Sequence, residues 1–323
     1  MKRVTITGGL GYVGGRIAAH LCATGMYDLT IATRQRLSAP PAPLQKVKLV
    51  RWEPESENSL TALVSSCDCL IHLAACNEID SEQSPLTAAQ VNIVNTLRLL
   101  LAAKQQGLKQ FIYFSTFHVY GSPLSGTISE SHTCRPVHPY SITHKGAEDF
   151  VYLARQTSTL NTVVLRLTNS FGPPLWPGVN RWTLLVNDLC RQAVTSGALV
   201  LRSDGIAERD FVTLSDVCRC VAQLVEVEKD SLGDGIFNLG SGTSMSIGAM
   251  AEFIQDRFRK KAGKELPIHK AAFPNVPAGA PLQTSMRCSI EKLSSIGFVP
   301  LNDFADELDA MIDFCKTHFR NQP

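Results

Sequence analysis

Little in this chain pulls strongly in one direction. Its 31 lysines and arginines stand against 29 aspartates and glutamates, a formal net charge of +2, so no field of one sign is present to collect nucleic acid or an anionic membrane surface. Apolar runs stay short of the roughly 18 residues of a membrane span. The first strand pattern starts at Lys2, which leaves no room for a secretory leader, and a cytoplasmic location is the expectation. The ten cysteines contain no C-x-x-C, and the two C-x-C pairs, Cys67/Cys69 and Cys218/Cys220, lack a second pair or a histidine at zinc spacing. No metal site is expected, and the thiols read as small buried hydrophobes of a reducing compartment. Internal repeats and low-complexity tracts are also missing.

What is there is a well-mixed globular composition. Of 323 residues, 44% are hydrophobic and 19% charged, which excludes a disordered tail or a collagen-like chain. At about 150 residues per domain, the length suits two domains or one large α/β unit with an appended lobe. From Lys2 to about Thr168, short apolar runs alternate with longer helical periods, the pattern of βαβ units and a parallel sheet. Strands are expected at Val4 to Thr7, Leu29 to Thr33, Val47 to Arg51, Cys69 to Leu73, Gln110 to Ser115 and Thr162 to Leu167. The clearest helices are Val13 to Thr24, Leu86 to Gln106 and Ser141 to Gln156, with apolar residues at i, i+3 and i+4. After Phe171 the regular alternation is lost. The expected fold is therefore a Rossmann-type, doubly wound parallel sheet over residues 1–170, with a smaller mixed α/β lobe, mainly substrate-binding, over 171–323. Some segments of that lobe are free to return to the sheet, among them a strand at Ile236 to Leu239.

The first strand runs directly into Thr7-Gly8-Gly9-Leu10-Gly11-Tyr12-Val13-Gly14, which opens a helix. Glycines there admit a pyrophosphate to the backbone, and the helix N-terminus favours its charge, so Gly8, Gly11, Tyr12, Val13 and Gly14 are candidate cofactor contacts. An acidic residue about 20 positions on would accept the ribose hydroxyls of NAD. Thr33 and Arg34 stand there instead, with Arg36 close by. A carboxylate would repel a 2′-phosphate, whereas an arginine beside a small hydroxyl residue can pair with it, so NADP is expected, with NAD as the alternative. Glu53, after the third strand, is a weaker candidate contact for the adenine amino group.

Further blocks carry a resemblance. His72-Leu73-Ala74-Ala75 ends the fourth strand, Ser115-Thr116-Phe117-His118-Val119-Tyr120-Gly121 ends the fifth, and Tyr140 opens the next long helix. Together with the glycine turn, these resemble the H-L-A-A, S-S/T-x-x-V-Y-G and Y-x-x-x-K blocks of the extended short-chain dehydrogenase/reductase family, which includes nucleotide-sugar epimerases, dehydratases and reductases. The likeness runs through nearly the whole chain. It implies that Tyr140 is the acid/base at a carbonyl or carbinol and that Thr116 steadies the same oxygen. It also places Leu73, Ala74 and Ala75 along the cofactor, and it gives Asn92 a supporting role at the active site, though capping or packing is an equally simple reading.

The chain departs from the family at the lysine that lowers the tyrosine pKa and holds the nicotinamide ribose. Tyr140 plus four is His144, and Lys145 falls about 100° around the helix. An unperturbed histidine is mostly neutral at pH 7, so it can give a ribose hydrogen bond with little charge. Three readings stand: a working enzyme with altered pH dependence, a cofactor-binding protein with little or no turnover, or a site into which another cation such as Lys145 reaches. His118 lies where family dehydratases carry a glutamate and certain epimerase-reductases a cysteine. It argues against water elimination and leaves open a base for epimerisation, a sugar contact or a plain loop histidine.

Arg166-Leu167-Thr168-Asn169-Ser170-Phe171-Gly172-Pro173 is similar to the block whose asparagine contacts the nucleotide-sugar diphosphate, which points to Asn169. The segment ending Arg209-Asp210-Phe211-Val212 resembles another family block, which would pair Arg209 with a phosphate; an ion pair with Asp210 or Glu208 is the plainer reading. Arg287 and Arg181 are outside candidates for the nucleotide or its phosphates. The resemblance thus implies an NAD(P)-dependent epimerase or keto-reductase of a nucleoside-diphosphate sugar, and a homodimer through the long helices of the nucleotide domain. A dehydrogenase of a non-sugar carbonyl or alcohol is the alternative.

Overall fold

The computed structural model describes residues 1–35, 40–270 and 285–320; Arg36 lies outside them. Among the described residues, fourteen strands follow one another: β1 (Lys2–Thr7), β2 (Tyr27–Thr33), β3 (Lys48–Arg51), β4 (Cys69–His72), β5 (Gln110–Thr116), β6 (Gly126–Ile128), β7 (Asn161–Leu167), β8 (Asn169–Phe171), β9 (Leu199–Leu201), β10 (Glu208–Thr213), β11 (Ile236–Leu239), β12 (Ser244–Ser246), β13 (Ile268–Lys270) and β14 (Met286–Cys288). Seven of them form one sheet in the order β11-β7-β5-β4-β1-β2-β3, and every pair in it is parallel. A parallel sheet needs cover on both faces. The β5 residues are accordingly buried throughout, and two apolar clusters lie against the sheet, one around Ile6, Ile17 and Val221, the other around Leu70, Leu99, Phe111 and Val151.

The helices of the first half are α1 (Tyr12–Thr24), α2 (Glu57–Ser65), α3 (Glu78–Gln83), α4 (Pro85–Ala88), α5 (Asn95–Gln105) and α6 (Pro139–Thr157). Two of the boundaries have a plain local cause. Helix α1 ends on Gly25 in the left-handed region, where a residue without Cβ is unstrained. Helix α6 starts with Pro139 in its first turn, while the His138 ring accepts the Ser141 N–H at 3.3 Å. The expected continuous helix from Leu86 is interrupted by a π turn, Ala89–Val94, which joins α4 to α5. The resulting 21-residue helix, Pro85–Gln105, is long and apolar enough by composition to cross a membrane, although no uncharged run of that length is visible in the sequence. In the fold it carries buried Leu99, Leu100 and Ala103 between α2 and α6.

The second half holds α7 (Leu185–Thr195), α8 (Leu214–Glu226), α9 (Ile247–Ala262), α10 (Glu291–Ser295) and α11 (Phe304–Phe319). A three-stranded sheet, β12-β10-β8, and a cluster built on Phe171, Leu189, Phe211, Ile254 and Met311 make the core of the smaller lobe. Two elements from beyond residue 170 return to the large sheet: β11 pairs with β7, and α8 packs on α1. All ten cysteines are free thiols, and no metal-ligating cluster occurs among the described residues.

Candidate active site

The strands β1, β4, β5 and β7 deliver their carboxyl ends to one crevice, where the chain passes from β7 into β8 and the smaller lobe begins. Crevices of this kind are where open parallel sheets bind ligands. A cavity of about 520 Å³ fills it, lined from the large sheet by Gly8, Gly11, Leu73, Ala75, Thr116, Tyr140 and His144 and from the smaller lobe by Asn169, Trp176 and Arg181.

The glycine turn forms the floor. Gly8 has φ +72°, and a Cβ there would lie 2.8 Å from the Ala74 nitrogen; a Cβ on Gly14 would lie 2.3 Å from the Gly8 carbonyl oxygen. Only bare backbone fits at these two positions, where the turn packs directly on the chain after β4 and on the start of α1. Gly11 caps α1 without a side chain, which leaves first-turn N–H groups and the positive helix end facing the cavity. Tyr12 and Val13 also line it, but the Tyr12 phenol serves another purpose. It reaches the Gly172 carbonyl at 2.8 Å and the Asn187 Oδ1 at 3.0 Å, linking the turn to the smaller lobe. Ala74 stands behind the turn, its N–H 3.4 Å from the Thr7 hydroxyl.

At the end of β2, the Thr33 hydroxyl accepts the Gln35 N–H at 3.0 Å, and Gln35 lines the cavity. Arg34 is exposed; burial and then the Asp80 charge hold the Cys76 thiol in the cavity wall above its ordinary pKa, and the Arg34 charge offsets only part of that rise. Glu53 is exposed, pairs with Arg51 at 3.1 Å and stays off the lining. Asn92 is buried with both amide ends occupied, accepting the Cys76 N–H at 2.8 Å and donating to the Thr143 hydroxyl at 2.9 Å. It ties the loop after β4 to α6 rather than facing a ligand.

Helix α6 presents Tyr140 and His144 one turn apart on its cavity face, with ring centroids 4.5 Å apart and edge-on. Burial and, next, the Glu78 charge hold the Tyr140 phenol above its ordinary pKa, while Arg181 and the hydrogen-bonding Thr116 hydroxyl pull it down. His144 is 3% exposed. Burial lowers its pKa to about 4, so the imidazole is neutral at pH 7. Its Nδ1 lies 2.9 Å from the Tyr113 hydroxyl, and its Nε2 has no hydrogen-bond partner among the described residues. Lys145 turns outward and pairs with Asp149, so the reading that brings Lys145 into the site is not the arrangement found. Deeper along α6, Glu148 pairs with Arg166 and accepts from Ser115 at 2.9 Å, which fixes the helix against β5 and β7.

His118 is exposed at the wall shared with a second, smaller cavity that also holds Asn169, Glu208 and Arg209. The protein around its ring and the neighbouring His138, 5.4 Å away, hold its pKa below the ordinary range. The Asn169 amide donates to the Asp210 carbonyl at 2.9 Å. Arg209 is not in the first cavity; it borders the second and donates to its neighbour's carbonyl, Glu208 O, at 2.8 Å. Asp210 is turned into the lobe, accepting from Thr168, Ser241 and Gly242. Arg287 is exposed, donates to the Gly242 carbonyl at 3.2 Å and borders neither cavity.

One feature of the wall lies outside the family blocks. Glu78, in the first turn of α3, holds Arg181 of the smaller lobe through two contacts of 2.9 and 3.2 Å. The only sequence signal near it is Asn77, whose side chain caps α3 by accepting the Asp80 N–H.

The residues present suit a dinucleotide: a backbone-only turn at a helix N-terminus, then a tyrosine, a threonine and an unpartnered imidazole nitrogen one cavity length away. Fold and site together define a dinucleotide-binding enzyme of the oxidoreductase type. The sequence model of the NAD dependent epimerase/dehydratase family matches residues 4–240, and the chain belongs to that family. Among its relatives is a dTDP-glucose 4,6-dehydratase of Streptomyces niveus, 27% identical over 97% of this chain and 93% of that one. Among solved structures, the UDP-glucuronic acid 4-epimerase from Bacillus cereus in complex with NAD superposes with a TM-score of 0.81 at 23% identity, covering 99% of this chain and 98% of that one. RMD from Pseudomonas aeruginosa complexed with NADPH gives 0.77 at 22% identity, covering 98% and 99%.

Proposed function

We propose that this enzyme epimerises or reduces a nucleoside-diphosphate sugar, with Tyr140 trading the proton at the reacting oxygen. The carrying observation is the Tyr140–Thr116 pair set in the same cavity as the glycine turn. A bound nicotinamide dinucleotide would supply or accept the hydride. Tyr140 would hold and move the proton, Thr116 would orient the sugar oxygen, and His144 would donate to the dinucleotide from Nε2. Phe117-His118, in place of the carboxylate pair of the family's dehydratases, favours these reactions over water elimination. His118 would face the sugar.

A diphosphate-bearing substrate is supported by the second cavity, which shares His118 and Asn169 with the first and offers Arg209. A non-sugar carbonyl would leave that arginine idle. NADP is favoured by Thr33 and Arg34, since neither opposes a 2′-phosphate. A homodimer is supported by apolar side chains on the outer faces of α5 and α6, where Leu101 is 56% exposed and Leu153 52%. Residues 1–170 would carry the dinucleotide, and most of 171–323 the sugar nucleotide.

The test is calorimetry with UDP, GDP, CDP and dTDP, followed by 340 nm assays with NADPH and keto-sugars of whichever nucleotide binds. Tyr140→Phe is expected to lower turnover by a factor of about 100 or more with dinucleotide binding kept. Binding of no nucleotide, or full activity in Tyr140→Phe, overturns the reading. A silent wild type with an active His144→Lys would instead favour a cofactor-binding protein with little turnover.

A further inference from the structure

We infer that Tyr113 is a positioning residue that fixes His144 as its Nε2–H tautomer, making a neutral imidazole a directed donor into the cavity. The inference rests on the reading above only for what accepts that bond, the dinucleotide ribose.

Tyr113 stands on β5 and is 2% exposed, so its phenol must find a partner inside the protein. Two acceptors are within reach: the His144 Nδ1 at 2.9 Å and the His144 carbonyl at 3.5 Å. The shorter contact is a normal hydrogen bond and the longer one is at the limit. Donation to Nδ1 requires that this nitrogen carry no proton, which in a neutral ring places the hydrogen on Nε2. That nitrogen has no partner among the described residues, although a buried N–H ordinarily has one. The ring lines the cavity, so a bound ligand can meet that nitrogen there.

Burial, not the surrounding charges, keeps the ring neutral. The neighbouring His118 also disfavours protonation, while Glu78 from α3 and the Phe114 carbonyl on β5 favour it. On its own helix, the ring meets Tyr140 edge-on. From β4, His72 is itself buried and neutral at pH 7, with its nitrogens on the Thr7 and Thr96 hydroxyls. Position 144 therefore offers one hydrogen bond of fixed direction and no charge.

Long-range ¹H–¹⁵N spectra of the histidine-labelled full chain at pH 7, without cofactor, test this directly. His144, assigned by its absence in His144→Gln, is expected as the Nε2–H form, and Tyr113→Phe is expected to turn it into a mixture. NADPH affinity of Tyr113→Phe, read by fluorescence titration, should fall about fivefold. An Nδ1–H form in the wild type, or an unchanged tautomer in Tyr113→Phe, overturns the inference. Should Tyr113→Phe not fold, the wild-type spectrum still decides. A wild type with the Nε2–H form that binds no dinucleotide overturns the functional reading and leaves Tyr113 in this role.

Discussion

Position 144 changes the electrostatics of the reaction more than its geometry. A cation 4 to 6 Å from an acid typically lowers its pKa by about 1 to 3 units, and here that neighbour is neutral. In the direction that needs the Tyr140 phenolate, the rate is therefore expected to climb far into the alkaline range. His144→Lys should move that limb down by about one unit or more, read from kcat/KM against pH; an unmoved limb would mean that the phenol is activated from elsewhere. The same burial has a cost in acid. His144 and His72 bind protons in the unfolded chain near their ordinary value of 6.5, but only at about 4 and about 3 when folded. Between those values the unfolded state holds more protons, so stability is lost as the pH falls below 6.5. Asp210, raised to about 6 by burial, works in the opposite sense. Thermal melts from pH 7 to 5 should show a flatter decline in His144→Gln than in the wild type.

The resemblance singled out Tyr140, Thr116 and His144 by their offsets from a strand end or a helix start, and the fold brings all three to one cavity. Tyr113 and Glu78 were not legible. Their partners are 31 and 103 residues away along the chain, and nothing local announces such a pairing.

At the scale of elements, the glycine turn carries the most stringent constraint. Because a Gly14 Cβ would meet backbone, which cannot swing aside, Gly14→Ala is expected to weaken dinucleotide binding roughly tenfold or more, measured by titration, while Tyr140→Phe leaves it intact. Strand positions were well read because a sheet covered on both faces writes itself as continuous apolar runs. The π turn at Ala89–Val94 was invisible, since one extra residue in a helical turn barely disturbs an i, i+3, i+4 pattern. The reach of Tyr12 to Gly172 was equally hidden: in the sequence it is one more residue of the turn, and only the fold makes it a bridge between lobes.

For the whole molecule, the outward faces of α5 and α6 give the proposed dimer a direct check. Leu101→Lys with Leu153→Lys should halve the mass seen by sedimentation and leave the melting temperature of the protomer nearly unchanged; a monomeric wild type would remove the proposal. Arg16 joins the halves from a second point, donating to the Pro173 carbonyl and to Glu307, each at 2.9 Å. Arg16→Ala is therefore expected to lower the melting temperature by a few degrees, about 1 kcal/mol or more for a buried charge left alone.

The return of β11 to the large sheet bears on how the chain is born. Until Ile236–Leu239 has emerged from the ribosome, the outer edge of β7 has no neighbour, and a nascent chain with an open edge of Val163, Val164 and Leu165 is an invitation to pair with another. Synthesis must therefore run about seventy residues past β7 before the half that carries the glycine turn can close, and an interrupted translation product is a seed for aggregation rather than a small working domain.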